Sequence, residues 1–154
     1  MKILVTSDTH NDFKALNKAV DDNPMAKLII HLGDGLNDIK KIKKAYRDKI
    51  ILAVKGNCDL NLNVPLMISY SIKKKRLFLT HGNLFNVKKD LSYIINHALE
   101  NNFNILLFGH THIPHIENKD GLMVMNPGSL KTQGGTYGIL EILNKKINGD
   151  IFKI

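Results

Sequence analysis

The sequence has no tryptophan, one cysteine, two arginines and no long apolar run. The single Cys58 cannot form an internal disulfide, so nothing indicates an oxidising compartment, and we expect a cytoplasmic protein. A membrane-spanning helix needs about 18 or more consecutive apolar residues, and no stretch approaches that length. The sequence therefore predicts neither secretion nor membrane insertion.

The shortage of arginine also weakens a nucleic-acid interpretation of the basic charge. The formal net charge is +8, but almost all of the excess is lysine. Arginine is the residue that forms bidentate contacts with phosphate and guanine, and aromatic side chains that could stack on bases make up only 6% of the chain. The lysine runs at 40–44 and 73–76 are interpreted as solvated faces, and nucleic acid stays an uncertain partner.

A chain of 154 residues has the size of one ordinary domain, and we expect a single domain over 1–154. In the first sixty residues, short apolar runs alternate with helical patterns, which predicts strands at 2–7, 27–32 and 49–54 and helices at 13–22 and 36–46. This order is typical of βαβ crossovers and a largely parallel sheet. The second half predicts hairpins at 65–80, 113–125 and 137–154, a helix at 88–101 and a strand at 103–108.

Polar residues with metal-ligand chemistry fall directly after the predicted strands. They are Asp8, His10, Asp34, Asn57, His81, His110 and His112. In α/β sheets ligands bind outside the carboxyl ends of the strands, so these seven side chains can converge on one crevice. Each short motif alone has an ordinary interpretation as a turn or a helix cap; the series at five strand ends predicts a metal site.

The types of ligand limit which metal ions the site is expected to bind. Carboxylates, imidazoles and an amide without a thiolate favour hard to borderline ions such as Mn²⁺, Fe or Zn²⁺, and disfavour a structural zinc site. Seven ligands exceed what one tetrahedral ion needs, and they suit two ions that share a carboxylate.

The motifs Asp8-x-His10, Gly33-Asp34, Gly56-Asn57, His81-Gly82 and Gly109-His110-Thr111-His112 resemble, in order and approximate spacing, those of the calcineurin-like metallophosphoesterases. The later segment Asn126-Pro127-Gly128-Ser129 is similar to the compact YfcE-like phosphodiesterase branch. The resemblance implies an α/β fold of two stacked mixed β-sheets flanked by helices, a four-layer α/β/β/α sandwich with the metals at one end.

The resemblance also implies a metal-dependent phosphodiesterase with two divalent ions, Mn²⁺ first, with Fe, Zn²⁺ or Ni²⁺ as alternatives. Carried over by position, Asp8, His10, Asp34 and His112 would hold the first ion. Asp34 would bridge to the second ion, which Asn57, His81 and His110 would complete. A hydroxide between the ions would attack phosphorus, and Asn57, His81 and Asp34 are the expected catalytic residues.

The sequence departs from that pattern at Cys58, where many members carry a histidine that acts on the leaving oxygen. A neutral thiol is a poor hydrogen-bond donor, so we expect Cys58 to pack or to contact the metal ligands, and we expect activity to depend on a good leaving group. Asp38 then lacks a histidine to orient and is expected to cap the following helix. Asn83 stands where several relatives have a histidine near the second metal, and His115 is a candidate for substrate contact at the crevice rim.

Two other functions compete with the phosphodiesterase. One is a non-catalytic scaffold, because the same fold serves as a protein-binding subunit of the retromer complex. The other is a nuclease or nucleic-acid-binding phosphoesterase. The expected partner is a small phosphodiester, with a nucleotide as one candidate, chosen by the loops 61–65 and 83–89, and a homo-oligomer is a further expectation.

Overall fold

The computed structural model describes residues 1–60, 63–144 and 146–154. Within these ranges the chain forms ten β-strands, three α-helices and a 3₁₀ turn at Asn83–Phe85. In chain order they are β1 (Lys2–Thr6), α1 (Phe13–Asp21), β2 (Leu28–His31), α2 (Leu36–Ala45), β3 (Ile50–Ala53), β4 (Met67–Ile72), β5 (Lys75–Thr80), α3 (Ser92–Glu100), β6 (Ile105–Leu107), β7 (His115–Lys119), β8 (Leu122–Asn126), β9 (Thr136–Leu143) and β10 (Lys146–Lys153).

The strands form two mixed sheets of five. The first sheet has the order β10-β9-β1-β2-β3, and the second has the order β4-β5-β6-β8-β7. Strands β1, β2 and β3 are parallel, as the alternation of apolar runs and helical patterns predicts. The three hairpins β4–β5, β7–β8 and β9–β10 are antiparallel, so these predictions are confirmed.

Side-chain alternation along the strands builds four layers. Ile3 and Val5 point into the core between the two sheets, whereas Leu4 points outward into the cluster that α1 and α2 cover. In the second sheet Leu77 and Leu79 face the same central core, and Phe78 faces α3. Because successive strand residues point to opposite faces, one apolar strand serves two clusters. The expected α/β/β/α sandwich is confirmed.

Two hairpin turns have positive φ values at both central positions but differ in the residues that adopt them. Asp120 and Gly121 have φ values of 51° and 84°, the positive pair that a type I′ turn requires, and this Asp-Gly turn is confirmed. Lys73 and Lys74 adopt φ values of 51° and 61° without a glycine. Register with β5 therefore imposes on these two lysines a conformation that their side chains disfavour.

The helix predicted at 88–101 is shorter in the structure. It begins at Ser92 and is preceded by irregular backbone, in which Asn86 has a φ of 55°. The Asp90 carboxylate accepts a hydrogen bond from Ser92 Oγ at 3.0 Å, which competes with extension of the helix toward the amino end. Val87 is thereby free to pack into the cluster under α3.

Among the residues that the structure describes, no helix combines the length and the apolar character needed to cross a membrane. The segment 61–65, expected to influence substrate choice, falls partly outside the described residues, because positions 61 and 62 are not among them.

Candidate metal centre

The seven predicted ligands lie at one end of the sandwich, on loops that leave β1, β2, β3, β5 and β6. Backbone hydrogen bonds tie these loops together: the N–H of Asp8 donates to Gly33 O and the N–H of His10 donates to Asp34 O, both at 2.9 Å. In the second sheet, the N–H of Gly109 donates to His81 O at 3.0 Å. The N–H of His110 donates to Asp8 Oδ2 at 3.0 Å and joins the loops of the two sheets, so segments 102 residues apart share one platform.

Asp8 is at the centre of this platform and is only 1% exposed. Its Oδ2 accepts hydrogen bonds from Ser7 Oγ and from the backbone N–H of His110. Its Oδ1 is buried and, within the described residues, accepts no hydrogen bond. That oxygen lies 3.2 Å from His112 Nε2 and 3.9 Å from His10 Nε2. A buried carboxylate oxygen without a donor is costly, and a bound cation would satisfy it.

Asp34 and His81 form the second part of the cluster. Asp34 Oδ1 accepts a hydrogen bond from the backbone N–H of Cys58 at 2.7 Å, and its Oδ2 lies 3.3 Å from His81 Nε2. Burial opposes ionisation of Asp34, but His81 and the Cys58 N–H outweigh it and hold the pKa of Asp34 well below its usual value. The carboxylate is therefore ionised and available as a ligand at neutral pH.

His81 is fully buried, and its orientation is fixed from behind. Its Nδ1 lies 2.7 Å from Leu32 O, so a proton on Nδ1 donates to that carbonyl and Nε2 faces the cluster. Burial lowers the pKa of His81, but Asp34 and Asp8 outweigh burial and raise it. The two carboxylates therefore favour the protonated form of this imidazole in the metal-free protein.

Several acceptor atoms face one another around His81. Asn57 Oδ1 lies 3.1 Å from His81 Nε2, and His110 Nδ1 lies 3.2 Å from the same atom. On the other side, His10 Nε2 and His112 Nε2 are 3.3 Å apart. Burial, reinforced by His81 and Lys88, lowers the pKa of His110, which keeps this imidazole neutral. Divalent cations bind where neutral imidazole nitrogens, amide oxygens and carboxylates converge, as they do here.

The cluster divides into overlapping groups whose ligand atoms all lie within 4.8 Å of one another. One is Asp8, His10 and His112, and another is Asp8, Asp34 and His81. A third joins His10 and Asp34 to Cys58. Both Asp8 and Asp34 therefore belong to more than one group, and the residues present fit a bound metal.

The platform holds its ligands in unusual backbone conformations. Five of the predicted ligands have positive φ values between 46° and 69°, namely Asp8, His10, Asp34, His110 and His112. Such conformations cost on the order of 1 kcal/mol each and cluster at functional sites. Gly109 allows the close approach between them, since a Cβ there would lie 2.0 Å from Ser7 Oγ and 2.9 Å from Asp8 Oδ2.

Asp59 has a supporting role that the sequence did not reveal. Its Oδ2 accepts hydrogen bonds from the N–H groups of Asp34 and Gly56, at 2.7 and 2.9 Å. Its Oδ1 accepts from the N–H groups of Gly35 and Leu36, both at 3.0 Å. One carboxylate thus joins the Asp34 loop to the Asn57 loop. The only sequence signal is that helix α2 begins after Gly35, which has no side chain to cap it.

The expectation that Asp38 caps α2 is wrong, because the acceptor for the first N–H groups of that helix is Asp59. Asp38 is instead fully buried, and its Oδ2 accepts a hydrogen bond from Thr9 Oγ1 at 2.8 Å. It therefore braces the loop between Asp8 and His10 from below.

The segment Asn126-Pro127-Gly128-Ser129 braces the same platform from the second sheet. Asn126 Nδ2 donates to Gly109 O and to Thr111 Oγ1, both at 2.9 Å. Ser129 Oγ donates to Asp8 O, also at 2.9 Å. Its position in the sequence gave the resemblance, but only the structure shows what it contacts.

The remaining candidates from the sequence, Cys58, Asn83 and His115, lie around the cluster of predicted ligands. Cys58 is exposed, so it does not pack in the core, and its Sγ belongs to the group with His10 and Asp34. A hydrogen bond to Asp34, together with burial, raises the pKa of the Cys58 thiol. Asn83 begins the 3₁₀ turn that follows the His81 loop. His115 is on β7, 3.1 Å from Glu117 Oε1, and lines a neighbouring cavity.

The chain resembles known proteins over nearly its whole length. The phosphodiesterase YfcE of Escherichia coli is 29% identical, over 92% of this chain and 88% of the relative. The solved structure of a predicted phosphoesterase from Streptococcus pneumoniae superposes with a TM-score of 0.83 at 24% identity, covering 99% of this chain and 88% of the other. Vps29 of Entamoeba histolytica, solved with Zn²⁺, superposes with a TM-score of 0.74 at 18% identity and 99% coverage of both chains.

The S. pneumoniae and Vps29 likenesses show the fold alone, because both identities are below 25%. The sequence itself carries the family assignment: residues 1–145 match the calcineurin-like phosphoesterase superfamily domain. Together with the clustered carboxylates and imidazoles, this match shows that the chain belongs to the calcineurin-like phosphoesterase superfamily and is a metal-dependent phosphoester hydrolase.

Proposed function

We propose that the protein hydrolyses phosphodiester bonds with two divalent metal ions and a hydroxide nucleophile held between them. The observation that carries this proposal is Asp8 Oδ1, a buried carboxylate oxygen that no donor among the described residues satisfies. The Nε2 atoms of His10, His81 and His112 surround it. Without a cation, this arrangement leaves a buried negative charge poorly compensated.

The first ion would take Asp8, His10, Asp34 and His112, and the second would take Asp34, Asn57, His81 and His110. Support for Asp34 as the bridge comes from its position, because it belongs both to a group with His10 and to a group with His81. When bound, the two ions would lower the pKa of an attacking water and offset the charge that develops on the phosphoryl oxygens.

The chain's own residues prepare this chemistry. The Leu32 carbonyl turns His81 so that Nε2 faces the cluster, and the Cys58 N–H fixes one oxygen of Asp34 while the other points toward His81. Two divalent ions carry more positive charge than the carboxylates of Asp8 and Asp34 carry negative charge. The assembled site therefore attracts an anionic phosphodiester.

We propose Mn²⁺ as the native metal, with Fe, Zn²⁺ and Ni²⁺ as alternatives. The seven predicted ligands support this choice, because they are carboxylates, imidazoles and an amide, and none of them is a thiolate. The Cys58 thiol is a weak donor to a leaving oxygen, so activated aryl diesters are the expected best substrates.

The proposal can be tested by assaying the metal-reconstituted protein for hydrolysis. The substrates are a bis-aryl phosphate, aryl monophosphates, cyclic nucleotides and single-stranded nucleic acid. We expect diester cleavage that depends on Mn²⁺ and is lost in Asp34→Asn. Full activity in Asp34→Asn would contradict the bridging role. Lys27→Met is a matched control, since Lys27 pairs with Asp48 on the exposed surface.

The scaffold and the nucleic-acid hypotheses make different predictions in the same experiment. A scaffold would show no hydrolysis of any ester after metal loading. A nuclease would cleave single-stranded nucleic acid with a steep dependence on salt. We further propose that residues 1–154 act as one cytoplasmic domain that can form a homo-oligomer.

A further inference from the structure

A second cavity of about 430 Å³ lies beside the metal-ligand loops and takes no part in the proposed chemistry. This volume is within the usual range for small-molecule sites. Its apolar lining comes from two segments, the irregular backbone before α3 and the loop that follows β6. The apolar lining residues are Val87, Leu91, Phe108 and Ile113.

The residues that line the cavity are close in sequence or in space to the predicted ligands His81 and His110. Phe108 and Thr111 line it, and they flank the ligand His110 in sequence. On the other side, a Cβ on Gly82, the residue after His81, would lie 2.9 Å from Val87 Cγ2 and 3.6 Å from Phe108 Cδ2. The cavity therefore borders the loops that carry two predicted metal ligands, His81 and His110.

The cavity also carries the polar groups that an ester substituent would need. Lys88 lines it and supplies an ammonium group. His115 also lines it and adds an imidazole. An ammonium group beside an apolar lining complements a phosphoryl group joined to an apolar ring.

We propose that this cavity binds an aromatic ester group of the phosphodiester substrate and makes the enzyme selective for aromatic over small alkyl esters. The proposal rests on the proposed function, since the metal ions would hold the phosphoryl group. Ile113 is the selectivity residue: its side chain is 67% exposed beside the cavity, where an apolar ring would cover it. Burial of that apolar surface supplies the preference.

The test compares phenylphosphonate with methylphosphonate, which share a charged head and differ in the organic group. Calorimetric titration of the Mn²⁺-loaded protein should show phenylphosphonate binding roughly 10- to 100-fold more tightly, the scale of small apolar differences in enzyme pockets. Ile113→Ser should reduce that preference by roughly tenfold. Lys88→Met should weaken both ligands by the same factor and leave their ratio unchanged.

The matched control is Met25→Ser. Met25 is an apolar side chain that is 76% exposed, and it lies before β2, whereas the metal ligand Asp34 follows that strand. This variant should keep the wild-type ratio of the two phosphonates. Equal affinity of the wild-type protein for both phosphonates, or an unchanged ratio in Ile113→Ser, would overturn the aromatic subsite.

A second readout separates the subsite from the metal chemistry. In methyl NMR of the metal-free protein, benzyl alcohol should shift the Ile113 methyl resonances and leave the Met25 methyl unchanged. A silent Ile113 overturns the subsite. A responsive Ile113 in a protein that binds neither phosphonate after metal loading supports ring binding and overturns the proposed function instead.

Discussion

Replacing Asp59 by asparagine removes half of the acceptors that join two metal-ligand loops. The carboxylate accepts four backbone hydrogen bonds, two on each oxygen, from Asp34, Gly35, Leu36 and Gly56. An amide keeps one accepting oxygen and places an NH₂ group against two N–H donors. Two hydrogen bonds to a charged acceptor are lost, at about 1.5 kcal/mol each for this half-buried group, or roughly 3 kcal/mol of unfolding free energy.

The same change should weaken metal binding. The Asp34 loop and the Asn57 loop would lose their common support, and loss of a group that orients metal ligands typically reduces metal affinity by roughly 10- to 100-fold. Urea unfolding of the metal-free protein gives the stability, and Mn²⁺ titration gives the affinity. Because domains of this size are stable by about 5–15 kcal/mol, the variant should still fold and allow both measurements.

Asp48→Asn is the control for this variant. Asp48 makes a 3.1 Å ion pair with Lys27 in which both side chains are 65% exposed. An exposed pair contributes about 0–1 kcal/mol, so this variant should change neither quantity much. If Asp59→Asn matched Asp48→Asn in stability and in Mn²⁺ affinity, the bracing role of Asp59 would be refuted.

Three further predictions concern single residues. Asp8→Asn should stabilise the metal-free protein or leave its stability unchanged, because a buried oxygen that lacks a donor among the described residues loses its charge. The affinity for Mn²⁺ should fall at least tenfold. An unchanged affinity in a Mn²⁺ titration would contradict the role of Asp8 as a ligand. Burial lowers the pKa of His31 to about 4, below its value of about 6.5 in the unfolded chain. The contribution of this neutral imidazole to stability is therefore complete above pH 6.5 and is lost as the pH falls toward 4. Chemical denaturation should show roughly 3 kcal/mol of acid-dependent loss from this group, and a His31→Gln variant with an equally steep profile would refute the assignment. Cys58→Ala should retain wild-type rates on activated aryl diesters, and rates should fall as the pKa of the leaving group rises; a rate independent of leaving-group pKa would show that a donor acts there.

Local patterns predicted most of the strands and helices because each type of element has its own pattern of apolar residues. Ile3, Val5 and Leu4 form one apolar run, and that run already indicates a strand buried on both faces. The start of α3 was predicted four residues too early. The helical pattern of its apolar positions continues back to Lys88, whereas hydrogen bonds at Asn86 and Asp90 stop the helix at Ser92.

The convergence of the predicted metal ligands has a topological reason. Parallel strands direct their carboxyl ends to one edge, so polar residues after β1, β2 and β3 had to meet. The supports behind them were not predictable in the same way. Asp38 and Asp59 are both acidic residues near the start of α2 or in the loop beside it, and only their positions in space show that Asp59 accepts the helix N–H groups while Asp38 holds Thr9.

The sequence by itself determined the order of strands and helices, the strand-end placement of seven predicted ligands and, through their motifs, the family with its layered fold. The tertiary structure decided which atoms of those residues meet: that Asp8 keeps one oxygen without a donor, that Leu32 orients His81, and that an apolar cavity adjoins the loop of His110. The physical reason is the range of the interactions. Periodicity and strand direction are local or topological properties of the chain, whereas a hydrogen bond or a cavity wall depends on distances of a few tenths of an ångström between segments remote in sequence.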